Sequence, residues 1–357
     1  MRVAVTGVGG GVGQSVIRAL RRATLPLHIV GLDADGWSAG LYQSDARALL
    51  PHVSDTERYL AAMEEVIVEH ELEALLPGTD TELLALSVAR ERFAALGCQT
   101  VVSSSEFTRM TRDKVQTCPA LQKLGLPFVR TLTVADFIAS GAHMSRPMLL
   151  KLRDGSGSAG ARVVFSPEEL RPEEMDGREV LQDYLVPQAW GLTELRPENV
   201  QPAARLRQED EVSIQGMVAP NGELVSVYVS INMLRDGVPL RICPTKDPEL
   251  MAFARRMFTA FAAIGQVGPC NAQGRITEEG LVLYELNPRF TGITAVRAEM
   301  GWNEGEAALR LFVLGEDPAD VGRRLSYDPE LACLRYVTEQ VVPRSSLLAG
   351  LADPVDA

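Results

Sequence analysis

Hydrophobic and polar residues alternate in short blocks over the first hundred residues of the chain. Runs of β-branched and apolar residues predict strands, and amphipathic stretches between them predict helices. The predicted elements occupy, in order, residues 2–6, 13–22, 28–32, 57–70, 72–76, 81–96 and 99–102. Strands that alternate with helices in this way are typical of a parallel sheet with helices on both faces. We therefore predict an α/β protein that begins with a doubly wound domain.

The pattern changes after residue 113. A predicted helix at 114–124 ends at Gly125 and Pro127, and most of the elements that follow are strands with short connections. These later elements are strands at 148–152, 162–165, 179–185, 211–218, 224–232, 268–276 and 281–286, and a long helix at 248–264. Short connections favour antiparallel pairing, and the last two strands form a hairpin. The polar segment 187–208 shows no period and is predicted to be a surface loop or lid.

Charge and cysteine content exclude several classes of protein. The 357 residues carry 35 lysines and arginines against 47 acidic residues, a net charge of −12 without a basic block, so nucleic acid and membrane surfaces are not expected partners. Five scattered cysteines, none in a CxxC pair, favour reduced thiols in the cytoplasm. All four histidines precede residue 144, so histidine-based chemistry is excluded from the rest of the chain.

Glycines follow the first predicted strand at a spacing found in dinucleotide-binding domains. Gly7, Gly10 and Gly13 match TGxxGxxG, and Asp33 ends the next strand. This pattern suits NAD(P), but none of the seven tyrosines has a lysine four residues later, as reductases with this turn require. We favour a tight strand-to-helix turn and keep dinucleotide binding as an alternative.

A second glycine-rich segment follows Lys151, at the end of a predicted strand. Residues 155–160 read Gly-Ser-Gly-Ser-Ala-Gly and lead into the next strand. Backbone N–H groups and serine hydroxyls in such a loop can bind phosphate oxygens, while a lysine supplies the opposite charge. The alternative is an ordinary hairpin loop. The chain has only four lysines, so a lysine at this position is notable.

Polar residues in the last hairpin predict a metal site. Glu285, Asn287 and Arg289 alternate along one strand and are expected to share a face, and Gln273 lies on the partner strand. Carboxylate and amide oxygens suit Mg²⁺ that bridges phosphates, and an arginine nearby can stabilise a phosphoryl group in transfer. A solvated polar face is the weaker alternative, because apolar residues flank these positions.

These motifs together resemble the ATP-grasp ligases, in particular one ATP-grasp half of the large subunits of carbamoyl phosphate synthases. The resemblance covers nearly the whole chain. It implies a pre-ATP-grasp domain at 1–105, an N-terminal lobe with the glycine-rich loop at 106–184, a C-terminal lobe with the metal site at 185–345, and a flexible tail at 346–357. No second ATP-grasp copy and no glutaminase domain accompany these segments, so carbamoyl phosphate synthesis itself is not expected.

The resemblance also implies the roles of individual residues. ATP phosphates would contact Lys114, Lys151 and the loop residues Gly155, Ser156, Gly157 and Ser158. The adenine and ribose would contact Gln182, Asp183, Tyr184, Leu185 and Glu211. Magnesium or manganese would be held by Gln273, Glu285 and Asn287, with Arg289 and Lys151 as the catalytic residues.

The implied activity is the Mg²⁺-dependent joining of a carboxylic acid to an amine or a similar nucleophile, with ATP, through an acyl phosphate. Arg241 and Arg297 are candidates for binding the substrate carboxylate, because guanidinium groups bind carboxylates in a bidentate manner. Asp80 is interpreted as a helix N-cap rather than a residue of the cleft. A nicotinamide oxidoreductase, a catalytically silent ATP-binding protein, a simple kinase and a homodimeric assembly remain open.

Overall fold

The computed structural model describes residues 1–141, 143–144, 146–155, 160–189, 196–200, 208–235, 237–336 and 338–348. Its helices are α1 (Gly11–Leu20), α2 (Thr56–Glu69), α3 (Leu83–Ala95), α4 (Ser105–Arg112), α5 (Lys114–Lys123), α6 (Val134–Ala139), α7 (Pro197–Val200), α8 (Pro248–Ala262), α9 (Thr294–Glu299), α10 (Glu304–Phe312) and α11 (Pro318–Arg324). Its strands are β1 (Arg2–Thr6), β2 (His28–Asp33), β3 (Ala46–Leu49), β4 (Ala74–Leu76), β5 (Gln99–Thr100), β6 (Thr131–Thr133), β7 (Met148–Leu152), β8 (Arg162–Val164), β9 (Glu179–Asp183), β10 (Gln208–Val218), β11 (Leu224–Arg235), β12 (Val238–Thr245), β13 (Gly268–Thr277), β14 (Gly280–Asn287) and β15 (Cys333–Leu334).

The first five strands form a parallel sheet in the order β3-β2-β1-β4-β5. Apolar side chains from the strands pack against helices on the two faces, as in the pairs Val3 with Val16 and Leu75 with Leu86, which are all fully buried. The chain first places β2 and β3 on one side of β1 and then crosses to place β4 and β5 on the other side. The gap between β1 and β4 is therefore the topological switch point, where ligands bind in open α/β sheets.

The rest of the chain forms two sheets. A four-stranded antiparallel sheet has the order β6-β9-β7-β8, and a six-stranded antiparallel sheet has the order β14-β13-β10-β11-β12-β15. Helix α8 packs on β10 and β11, where Phe258 and Phe261 are fully buried. The two sheets meet where residues 127–129 bond to Leu283 of β14, so β14 lies between them.

The parallel sheet domain is joined to the six-stranded sheet by direct contacts of α1 with α9 and α10. Ser15 of α1 accepts a hydrogen bond from the backbone N–H of Ala295, and the Glu306 carboxylate accepts bonds from both the N–H and the hydroxyl of Thr24. Near the C-terminus, the N–H of Leu348 donates to the Tyr42 hydroxyl.

The predicted fold class is confirmed: a doubly wound domain precedes two lobes of mixed helices and strands. The structure adds elements that the hydrophobic pattern did not reveal, among them β3, α9 and α10. In the predicted loop 187–208, residues 190–195 and 201–207 lie outside the described residues, and the described part contains the short helix α7. No helix in the described ranges is long and apolar enough to cross a membrane.

Candidate active site between the two lobes

Two lysines from different elements lie beside the strand that carries the predicted metal ligands. Lys151, in β7, is 9 % exposed, and Lys114, at the first position of α5, is 6 % exposed. A small cavity of about 20 Å³ is lined by Lys114 and by Gly155, Glu285 and Asn287. The structure therefore brings together residues that are far apart in the sequence and that we assigned to phosphate and metal.

Lys114 is attached to the glycine-rich loop where the loop leaves β7. Its Nζ donates to the carbonyl oxygen of Gly155 at 2.7 Å. Next to it, Arg153 donates two bonds to the Asp113 carboxylate, at 2.8 and 2.6 Å. Burial raises the pKa of Asp113, but the hydrogen bonds from Arg153 and from two backbone N–H groups outweigh it and the net pKa is lowered. Ser156, Gly157 and Ser158 lie outside the described residues.

The surroundings of Lys151 favour the neutral form of its side chain. Burial lowers the pKa of its ammonium group to about 8, with Glu285 acting against this shift and Lys114 adding to it. Its Nζ lies 5.6 Å from the centre of the Tyr284 ring. An ammonium group that is buried beside another cation gains most when an anion binds, because that anion replaces the lost hydration.

The predicted metal ligands occupy one face of the hairpin formed by β13 and β14. Gln273 is directly opposite Glu285, and Asn271 is directly opposite Asn287. The amide nitrogen of Gln273 donates to Glu211 at 3.0 Å, which leaves its amide oxygen for another partner. No group of three His, Cys, Asp or Glu side chains suited to a metal occurs in the described part of the chain. One carboxylate with amide oxygens fits Mg²⁺ that is shared with phosphates, rather than a cage built by protein alone.

Glu211 lies in β10 next to this face and is 3 % exposed. Its carboxylate accepts bonds from the Tyr284 hydroxyl at 2.7 Å, from Gln273 and, at 3.3 Å, from the Asn232 amide. Burial raises the pKa of Glu211, and these hydrogen bonds act against the shift without cancelling it. Glu211 is thus held beside the predicted metal ligands.

The four predicted hinge residues do not share one environment. Gln182 is buried and donates to the Thr131 hydroxyl, whereas Asp183 forms a bidentate ion pair with Arg130. That pair lines a groove of about 490 Å³ together with Tyr184 and Leu185. The Leu185 carbonyl accepts a bond from Arg275 at 2.8 Å. Asp183, Tyr184 and Leu185 therefore border one groove, whereas Gln182 is buried beside it, and their contact with adenine stays a prediction.

Arg289 lies just after the end of β14 and binds a residue of the first domain. Its Nε and one terminal nitrogen donate to the two oxygens of Asp80, at 2.7 and 2.6 Å. This contact corrects the interpretation of Asp80 as a helix cap. Helix α3 begins at Leu83 with Glu82 at the cap position, so Asp80 lies two residues before the cap. Asp80 is the site residue that local sequence patterns missed.

The two arginines proposed for the substrate carboxylate are not part of this cluster. Arg297, in α9, is fully buried and paired with Glu304, and its guanidinium lies about 5.9 Å from the ring centres of Tyr228 and Trp302. This burial corrects the prediction for Arg297, because a substrate cannot reach it. Arg241, on β12, is exposed and contacts the Met233 sulphur, so nothing in its surroundings supports the role.

Comparisons with known proteins agree with this architecture. A family model described as the PylC-like N-terminal domain matches residues 3–101. N5-carboxyaminoimidazole synthetase from Staphylococcus aureus, solved with ADP, is 14 % identical with a TM-score of 0.66, over 87 % of this chain and 77 % of that chain. No curated protein matches the chain in sequence.

Two further solved structures share the fold. The biotin carboxylase domain of 2-oxoglutarate carboxylase from Hydrogenobacter thermophilus, a dimer solved with MgADP, ADP and bicarbonate, is 18 % identical with a TM-score of 0.64, over 92 % of this chain and 72 % of that one. An L-amino acid ligase from Bacillus licheniformis is 16 % identical with a TM-score of 0.63, over 87 % and 74 %. All three solved proteins are ATP-grasp ligases. The chain has the ATP-grasp fold.

The ATP-grasp fold accounts for the position of the cluster. Lys151 belongs to the four-stranded sheet, and Glu285 and Asn287 belong to the six-stranded sheet. The cluster therefore lies between the two ATP-grasp lobes. Asp80 brings the PylC-like first domain to the same place through its bond with Arg289.

Proposed function

We propose that the protein is an ATP-dependent ligase that joins a carboxylic acid to an amine through an acyl phosphate. The observation that carries this proposal is the convergence of two buried lysines and Gly155 on the Glu285 strand. Catalysis of phosphoryl transfer depends mainly on positively charged groups held in position, and the protein need not form a covalent bond to the substrate. The similarity to ligases solved with ADP and MgADP supports the same conclusion.

In this proposal each lobe supplies one part of the ATP site. Lys114, Lys151 and residues 155–158 bind the phosphates, and Glu211 binds the ribose. Glu285, with the amide oxygens of Gln273 and Asn287, would hold magnesium, which neutralises phosphate oxygens when bound. Gln182, Tyr184 and Leu185 remain the proposed adenine contacts.

The reaction has two balanced steps. A carboxylate oxygen of the substrate attacks the γ-phosphorus of ATP, the bond to the β-phosphate oxygen breaks, and ADP leaves. The amine nitrogen then attacks the acyl carbon, inorganic phosphate leaves, and the extra proton passes to solvent. In this proposal Arg289 stabilises the charge on the acyl phosphate and exchanges one of its two bonds to Asp80 for a phosphate oxygen.

The test is ADP release from MgATP with a panel of carboxylic acids and amines, followed by mass detection of the product. We expect at least one pair to give an amide with one ADP per product. Glu285→Gln removes one charge without changing size and should lower the rate by about 100-fold or more. Glu223→Gln makes the same change at an exposed position between β10 and β11 and is the matched control. Unchanged turnover in Glu285→Gln, at equal folding, would contradict the proposal.

A further inference from the structure

Every nitrogen of the Arg289 guanidinium has an acceptor within the protein. Its Nε and one terminal nitrogen donate to the two oxygens of Asp80, at 2.7 and 2.6 Å, and the other terminal nitrogen donates to the carbonyl oxygen of Phe290 at 2.8 Å. The pair is largely withdrawn from water, because the side chains of Arg289 and Asp80 are 11 % and 16 % exposed. The two donors that Arg289 would offer to a phosphate are therefore already used by a carboxylate of the first domain.

The loop that carries Asp80 is held in place by a second acidic residue. Glu82 is 3 % exposed, and a buried carboxylate needs several donors to compensate for its lost hydration. Its oxygens accept bonds from the hydroxyls of Thr6 and Tyr59 and from the N–H groups of Gly78 and Thr79. These bonds anchor the loop to β1 and α2, so the position of the Asp80 backbone does not depend on its contact with Arg289.

A second arginine holds the backbone of the same residue. Arg112, the last residue of α4, donates to the carbonyl oxygen of Asp80. Asp80 and Arg112 both line the small cavity that is also lined by Lys114 and Glu285. Asp80 is therefore part of the candidate active site, and because its backbone is fixed, it can leave Arg289 only by rotation of its side chain.

Asp80 competes with any anion that Arg289 binds. An anion from solution must break a bidentate contact between an arginine and a carboxylate, which is among the stronger kinds of hydrogen bonding in proteins. Asp80 belongs to the same chain and to a fixed loop, so it competes at a high effective concentration. The phosphoryl group of a bound nucleotide is also tethered, and it carries more charge and a third oxygen. Asp80 therefore excludes free anions more effectively than it excludes a tethered phosphoryl group.

We propose that Asp80 is a positioning residue that keeps Arg289 closed to free anions and releases it to the tethered phosphoryl group. This inference rests on the proposed function, in which Arg289 binds the acyl phosphate, and it adds how that site is regulated. In the free protein Asp80 supplies the partner that a buried arginine needs. The neighbouring residue Thr81 is exposed, so the displaced carboxylate can turn toward water. Inorganic phosphate and free carboxylic acids are thereby prevented from occupying Arg289 before ATP binds.

Calorimetric titration of the full chain with inorganic phosphate and with acetate, which resemble the two halves of an acyl phosphate, tests the proposal. Asp80→Asn keeps the size of the side chain and removes its charge, so both anions should bind more tightly, by about tenfold or more. Asp154→Asn makes the same change at an exposed position that lines the same cavity, and it should change either affinity by less than about twofold. This control measures the effect of removing a charge without opening Arg289.

Arg289→Met tests whether the gain in affinity arises at Arg289. In this background Asp80→Asn should no longer raise the affinity for phosphate or acetate, because the contact that it opens is absent. A role of Asp80 in folding alone would not make the affinity depend on Arg289 in this way. If Asp80→Asn folds poorly, phosphate should still stabilise it against urea more than it stabilises the unaltered protein, because an anion that binds the native state raises stability.

MgATP titrated into the unaltered protein separates this inference from the proposed function. If MgATP binds but Asp80→Asn leaves both anion affinities unchanged, the inference is overturned and the ligase proposal stands. If Asp80→Asn binds the anions more tightly while MgATP does not bind, the inference is supported and the ligase proposal is contradicted. A gain no larger than that of Asp154→Asn, or one that persists in the Arg289→Met background, would also overturn the inference.

Discussion

The protein has two glycine-rich turns that follow strands, and a residue of opposite charge contacts each of them. The turn at residues 7–13 leads into a helix, and a carboxylate accepts one of its N–H groups. The turn that begins at Gly155 joins two antiparallel strands, and Lys114 donates to its carbonyl oxygen. Glycine spacing alone therefore does not decide what a turn binds. We expect charged residues from other elements to determine the ligand, Asp33 for the first turn and Lys114 for the second.

The largest effect is expected when the cation that precedes the second turn, Lys151 in β7, is removed. Lys151→Met keeps most of the apolar stem and removes the charge that faces Glu285. We expect the affinity for MgATP to fall by about 100-fold, because hydrogen bonds to charged groups contribute about 3 kcal/mol. Calorimetry measures this directly. Lys123→Met, at the far end of α5, is the control and should bind normally. Equal affinity in both variants would show that the second turn is not a phosphate site.

A smaller effect concerns the packing of the first turn alone. A Cβ atom at Gly13 would lie 2.5 Å from the carbonyl oxygen of Gly7, whereas one at Gly11 meets nothing within 4 Å. Gly13→Ala must therefore push α1 away from β1, and we expect it to lower the free energy of unfolding by about 2 kcal/mol. Gly11→Ala should be neutral or slightly stabilising, because alanine favours helices. Urea unfolding of the two variants measures the difference, and equal stability would contradict the close approach.

Most of the fold could be predicted because its signals are local. The alternation of strands and helices before residue 105 and the hairpin of β13 and β14 follow from hydrophobic period and turn residues. Short or irregular elements were missed, such as β3, whose four residues are all half-buried and show no alternation. The two-residue strand β15 was also missed, because no sequence period reports its pairing with β12.

The candidate site could likewise be predicted only where the sequence signals are local. Lys151, Glu285 and Asn287 could be chosen from their neighbours in the sequence, although their roles stay predictions. Asp80 could not, because its partner Arg289 is 209 positions away and a short acidic run before a helix also suits a cap. The prediction that Arg297 binds the substrate carboxylate was wrong for a related reason. The sequence shows a guanidinium near the metal strand, but only the packing of α9 reveals that Glu304 already pairs with it.

The last and smallest effect concerns pH, and it applies to the second turn alone. The Lys151 pKa is lowered to about 8 in the folded protein, against about 10.4 for a free lysine, so the ammonium loses its proton between pH 7.5 and 9. Phosphate favours the charged form, so binding takes up a proton in this range and the affinity for MgATP should fall as pH rises, by about tenfold between these two values.

The unfolded chain keeps its lysine charged up to about pH 10.4, so over the same range the unfolded state binds more protons and the free protein should become more stable as pH rises. Affinity and stability therefore change in opposite directions with pH, which distinguishes this linkage from general alkaline denaturation. Calorimetry and urea unfolding at pH 7.5 and 9 measure both. Lys151→Arg, which stays charged over the range, should remove both dependences. If the affinity for MgATP fell equally in Lys151→Arg, the titrating group would lie elsewhere, and the charge that distinguishes the second turn from the first would not be that of Lys151.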